Sequence, residues 1–228
     1  MKPRAHIDKN CRGTVALVLL LSAVAAFCLF YFVEIWWIEW PVLLALIWFC
    51  RWQIMFHRVP VRNSAGSDVN VTAVADGKIV AINRVYEKEW LKRDCLMTSI
   101  YMDFWDVHAN FWPVDGKVAY SRYHPGKHFL AFKPKASDEN EHTCTSVRTD
   151  YGVEVFFKQL AGGFARRIVC YAVPGLGVRA GEQCGIIKFG SRIDIYLPLE
   201  AEIKVAIGQQ VRACETVIAS LAGLKPSE

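Results

Sequence analysis

The apolar positions follow two patterns along this chain, and the change between them comes near residue 56. Residues 14–33 are twenty positions without a charge. At helical rise such a run covers the roughly 30 Å hydrocarbon core of a bilayer, so it predicts a spanning helix. Residues 35–50 form a second apolar stretch, shorter and interrupted by Glu39. From Asn63 onward the pattern has period two, with turn residues at short intervals. Ile193, Ile195 and Leu197 alternate with Arg192, Asp194 and Tyr196, and Ile203, Val205 and Ile207 oppose Glu202 and Lys204. Alternation of this kind predicts half-buried strands over residues 191–198 and 201–207. Asp76-Gly77, Asp115-Gly116, Pro125-Gly126, Ala180-Gly181 and Ile207-Gly208 supply hairpin and loop reversals. One helix is expected within residues 153–171, where Ala161-Gly162-Gly163 weakens the helical pattern.

The β region also echoes itself. Val74-Ala75-Asp76-Gly77-Lys78 is similar to Pro113-Val114-Asp115-Gly116-Lys117, and Gly177-Val178-Arg179-Ala180-Gly181 to Gly208-Gln209-Gln210-Val211-Arg212-Ala213. Such echoes suit a small barrel or sandwich of the kind seen in lipoyl and biotinyl carriers, and speak for architecture rather than chemistry. The expected fold is therefore mainly β, barrel- or sandwich-like with one or two helices, behind an N-terminal transmembrane helical hairpin. The expected boundary puts the anchor at residues 1–55 and one further domain at residues 56–228.

Charge decides how the apolar segments are used. Lys2, Arg4, Lys9 and Arg12 precede the first run, Arg51, Arg58 and Arg62 follow the second, and the connection holds only Glu34 and Glu39. The positive-inside rule puts both basic flanks in the cytoplasm, which a hairpin satisfies, with Trp36, Trp37 and Trp40 suited to the interface. The rival topology is a single span that exports the domain. The first run is too long for a signal-peptide core, and no small-residue cleavage site follows it. The domain is thus expected at the cytoplasmic face of the inner membrane.

The net charge of +5 comes from scattered Lys and Arg residues rather than a basic arm, which argues against nucleic acid and suits an anionic membrane surface. Eight cysteines without a CxxC pair read as reduced thiols. His124, before Pro125-Gly126, reads as turn chemistry, and His6, His57, His128 and His142 lack metal-ligand spacing, so no metal is expected.

Four segments carry the chemistry. They are Ala75-Asp76-Gly77-Lys78-Ile79; Trp105-Asp106-Val107-His108-Ala109-Asn110 with Pro113-Val114-Asp115-Gly116; His124-Pro125-Gly126-Lys127 with residues 135–141; and Phe189-Gly190-Ser191-Arg192. In this order the chain resembles the phosphatidylserine decarboxylase family, in its short bacterial and archaeal form, over most of residues 56–198. Ala165-Arg166-Arg167-Ile168-Val169 is also similar to the family. The resemblance implies self-cleavage between Gly190 and Ser191, conversion of Ser191 into a covalent pyruvoyl group, and decarboxylation of phosphatidylserine. It implies His108 as the base and Asp76 as the carboxylate that orients it, with Asp106 the rival for that role. The implied partners are a membrane phospholipid, the two self-derived chains 1–190 and 191–228 held together, and a further copy of the chain in a homo-oligomer.

The chemistry explains the residue types. A serine hydroxyl must reach the preceding carbonyl, and a glycine before it leaves that approach uncrowded. The hydroxyl needs a base, and the base needs a partner to fix its tautomer. The new carbonyl then condenses with the substrate amine and accepts the electrons released as carbon dioxide departs. Two departures mark the subfamily: Phe111 stands where many members have a second histidine, and Arg192 follows Ser191. Arg58, Lys127, Arg166 and Arg167 are candidate partners of a substrate phosphate. A lipoyl-like carrier would place a modifiable lysine at a hairpin tip after Asp, which Asp76-Gly77-Lys78 does not, and a serine hydrolase would show the second glycine that Gly190-Ser191-Arg192 lacks.

Overall fold

A computed structural model describes residues 5–127, 139–162, 167–188 and 191–224 of the chain. It divides into two units, Met1–Pro60 and Val61–Glu228.

The first unit consists of β1 (Ala5–Ile7), α1 (Arg12–Phe32), α2 (Trp36–Phe56) and β2 (Arg58–Pro60), with β1 and β2 paired antiparallel. Both helices have 21 residues and are long and apolar enough to cross a membrane. The second outruns its apolar stretch and continues to Phe56 through Arg51, Gln53 and Met55, whose long unbranched side chains favour helix. Val33, Glu34 and Ile35 connect the helices, with Glu34 at φ 50°, and Phe30 meets Trp40 edge to face across the pair. Leu20, Phe27, Trp36 and Leu44 lie open on the helix surfaces. Apolar surface on this scale marks a membrane-associated element.

The named elements of the second unit are all strands. Its strands are β3 (Asn70–Thr72), β4 (Gly77–Glu87), β5 (Arg93–Met102), β6 (Ala109–Phe111), β7 (Gly116–His124), β8 (His142–Arg148) and β9 (Glu154–Ala161). They continue with β10 (Arg167–Cys170), β11 (Gly177–Val178), β12 (Gln183–Lys188), β13 (Ser191–Leu197), β14 (Glu202–Ile203), β15 (Gln210–Val211) and β16 (Val217–Ser220). Eight of them form one antiparallel sheet in the order β11-β7-β8-β9-β13-β5-β4-β15, and two three-stranded sheets, β10-β12-β6 and β14-β16-β3, accompany it. The main core contains Val155, Phe157, Ile193, Ile195, Ile79, Ile100 and Trp112 from these layers.

The sequence echoes prove to be an internal duplication. The sheet order reads the same from both edges: β11-β7-β8-β9 mirrors β15-β4-β5-β13. Equivalent amides make equivalent bonds: Val118 N to Leu176 O and Ile79 N to Gln209 O, and Ala180 N to Asp115 Oδ1 and Ala213 N to Asp76 Oδ1. The two Asp-Gly pairs are not hairpin tips, as the sequence suggested, but corners at which the chain passes from a small sheet into the large one. Glycine is required there by close approach: a Cβ at Gly77 would lie 2.2 Å from the Tyr101 carbonyl oxygen, and one at Gly116 2.3 Å from that of Arg148.

Two other expectations are corrected. Residues 154–161 form a strand and not a helix. Val155 and Phe157 face the main core, while Phe156 packs with Tyr196, Cys95 and Cys144 on the other face, so β9 is buried on both sides and period two is masked. The alternation in residues 201–207 yields only the two-residue β14, because the chain turns at Ala206 to Gln209 with Gly208 at φ 91°.

Candidate active site

Ser191 opens β13 and lies opposite Ala161 of β9 and Met102 of β5. Alternation points its side chain to the core face with Ile193, and it is fully buried. The hydroxyl donates to Met102 Sδ at 3.0 Å. A thioether is a weak acceptor, so the hydroxyl is held without strong engagement. Asn110 Nδ2 lies 4.0 Å from the same sulfur, and Asn110 Oδ1 accepts from Gln159 Nε2 at 2.8 Å. Thr143 Oγ1 donates to Gln159 Oε1 at 2.7 Å, which closes a buried polar chain from β8 to β13.

His108 is fully buried on the extended approach to β6. Its carbonyl accepts the Ile187 amide at 3.2 Å, which sets it beside the end of β12, the strand that leads into residues 189 and 190. Its ring Nδ1 lies 3.0 Å from the Asp106 carbonyl oxygen. A carbonyl only accepts, so Nδ1 carries the proton and Nε2 presents a lone pair.

The carboxylates take other partners. Asp76 accepts from Arg62 at 2.5 Å and 2.7 Å, in a bidentate pair, and from the Ala213 amide at 2.8 Å. Arg62 also donates to the Ala213 carbonyl at 3.1 Å, so Arg62 and Asp76 together clamp the segment after β15. Asp106 Oδ2 accepts from the Asp103 amide at 2.8 Å, and Oδ1 from Gln210 Nε2 at 3.4 Å. Burial first, and then the nearby charges of Asp76 and Asp103, hold the Asp106 carboxyl above its ordinary range. The contact seen between Asp106 and the His108 ring thus runs through the backbone carbonyl.

A family model described as phosphatidylserine decarboxylase matches residues 49–219. The phosphatidylserine decarboxylase proenzyme of Porphyromonas gingivalis is 37% identical over 217 residues, which cover 94% of this chain and 98% of that protein. Those of Bacteroides fragilis and Amoebophilus asiaticus are 47% and 43% identical over 171 residues, about three quarters of each chain. The chain belongs to the phosphatidylserine decarboxylase family.

The family match spans β3 to β13, and with them the buried polar chain that ends at Ser191. Gly190 lies outside the described residues, as do Arg166 and the Arg167 side chain. Of the other expected phosphate partners, Lys127 pairs with Glu139 at 3.3 Å and Arg58 donates to the Met55 carbonyl at 2.7 Å. Sequence reading missed Met102, Gln159 and Arg62. Asn110 is signalled by its place in the Trp105–Asn110 motif beside His108, whereas nothing in the sequence pattern points to Arg62.

The opposite face of the large sheet carries different chemistry. Arg192, one residue on from Ser191, points there and pairs with Asp194 at 2.8 Å, while Ser99 Oγ donates to the other Asp194 oxygen at 2.6 Å. These groups border a cavity of about 870 Å³ also lined by Glu89, His124, His142 and Lys158.

Proposed function

We propose that the chain cuts itself between Gly190 and Ser191 and, through the pyruvoyl group so formed at position 191, decarboxylates phosphatidylserine to phosphatidylethanolamine. The observation that supports this reading is Ser191 itself: a buried hydroxyl on a weak acceptor at the start of a strand, in a chain whose His108 carries its ring proton on Nδ1 and so keeps Nε2 as the basic nitrogen. These residues fit a pyruvoyl group, because the serine side chain sits at the start of a fixed strand within walls that exclude water.

His108 Nε2 takes the Ser191 proton, and Oγ attacks the Gly190 carbonyl, turning the amide into an ester. Loss of the Ser191 Cα proton then expels the Gly190 carboxylate, and hydrolysis of the resulting dehydroalanine releases ammonia and leaves the pyruvoyl. Its carbonyl supplies the electron sink for loss of carbon dioxide. His108 returns a proton to the substrate carbon. The Asp106 carbonyl holds the His108 tautomer, and Asp76 supplies negative charge beside Asp106 while its pair with Arg62 keeps the corner fixed.

The basic flanks of the hairpin support a cytoplasmic location for both ends of the chain, with the β unit at the inner leaflet. Reporter fusions at Met1 and Glu228 should then both give cytoplasmic signals, and a periplasmic signal at Glu228 would reject the hairpin. Hydroxylamine captures carbonyl groups, so pretreated enzyme should release no carbon dioxide from phosphatidylserine in mixed micelles. Undiminished release would exclude a pyruvoyl mechanism.

A further inference from the structure

The sheet face that Ser191 does not use brings together four side chains from three distant segments. His124 ends β7 and His142 begins β8, directly opposite one another in the register, and their rings stack at 4.7 Å between centroids and 14° between planes. Cys144 lies two residues beyond His142 and therefore on the same face of β8. Glu89 reaches them from the connection between β4 and β5. One ligand atom from each of the four falls within 4.8 Å of all the others, the one such convergence of three or more His, Cys and carboxylate groups among the described residues.

We infer that Glu89, His124, His142 and Cys144 form a zinc site. The donor set is two imidazoles, a thiolate and a carboxylate, which suits a borderline-soft ion with tetrahedral preference, and four protein ligands make a closed, structural site. Outer partners are already placed. His142 Nδ1 lies 2.6 Å from the Asn140 carbonyl oxygen, which fixes the proton on Nδ1 and leaves Nε2 for a metal. Tyr120 donates to Glu89 Oε1 at 2.7 Å and orients the carboxylate.

Without metal, Glu89 is the hub of the cluster: His124 Nε2 lies 2.6 Å from Oε1, and the Cys144 thiol donates to Oε2 at 3.0 Å. Binding of a divalent ion replaces these protons. The thiol releases one proton to solvent as the sulfur–metal bond forms, and the His124 proton moves to Nδ1 so that Nε2 can ligate. Cys144 and His142 are buried, and Glu89, His124 and His142 border the cavity, which gives an ion a path inward.

The site ties the β4–β5 connection to β7 and β8. His142 also faces Leu160, which in turn faces Arg192, so the site sits two strands from the residue that follows Ser191, roughly 10 Å at ordinary strand spacing. It is separate from the decarboxylase chemistry and does not depend on it.

The test is metal content of the full-length chain, untagged and purified in detergent from cells grown with zinc. Elemental analysis should find one zinc per chain after gel filtration, and Cys144→Ser and His124→Gln should each lose it while far-UV circular dichroism stays unchanged. Cobalt exchanged into the wild type should give tetrahedral d–d bands with a thiolate-to-cobalt absorption, and Cys144→Ser should remove that absorption. A metal-free wild type that gives no cobalt spectrum overturns the proposal. So does a cobalt spectrum that survives in both variants, since the ligands would then lie elsewhere.

Discussion

In one half of the duplicated β unit, the position ahead of the first strand is Val69, whose carbonyl accepts the Leu221 amide at 2.7 Å; in the other half it is His108, whose carbonyl accepts the Ile187 amide at 3.2 Å. The backbone task is the same, so the fold itself does not ask for an imidazole there. The corners compare in the same way. Asp76 and Asp115 each accept an amide from an equivalent alanine at 2.8 Å, and Asp76 adds the buried bidentate pair with Arg62. Gly181, at φ 87°, has Cys214, at φ 67°, as its counterpart, a place where glycine costs less and a side chain has been kept. What the halves share is architecture, and what they do not share includes His108 and the Arg62–Asp76 pair.

The comparison is broken most sharply by giving the reactive half the side chain of the other. His108→Val should leave the β unit folded, since Val69 serves the same backbone role, and should slow self-cleavage by about a hundredfold to ten-thousandfold, the range for loss of a positioned base. Cleavage at the wild-type rate, followed by gel electrophoresis over time, would remove His108 from the mechanism. The corners give a smaller contrast. In an uncleaved Ser191→Ala background, Asp76→Asn should cost about 3 kcal/mol in urea unfolding, because it leaves a buried guanidinium without its anion. Asp115→Asn weakens one amide bond and should cost about 1 kcal/mol. Equal losses would mean that the Arg62 pair adds nothing beyond the shared turn.

The helical hairpin and the strand at residues 191–197 were legible in the sequence because each is local: an uncharged run and an alternation. The echoes were legible too, although not that they are mirrored about the β9–β13 pair. What stayed hidden depends on pairing at a distance. The strand at residues 154–161 is buried on both faces, so Glu154 and Lys158 look like the polar stripe of a helix. Arg62 meets Asp76 only because the chain returns past the corner. The histidines at 124 and 142 have no ligand spacing, and it is the β7–β8 register that stacks them.

Intact mass of the purified protein tests the central claim most directly. The account predicts two pieces: one ending at Gly190, and one comprising the 38 residues from position 191 to Glu228, blocked at its N-terminus and carrying a pyruvoyl in place of Ser191. Ser191→Ala should give a single full-length chain that releases no carbon dioxide. A wild-type chain that stays whole and still decarboxylates phosphatidylserine would contradict the account.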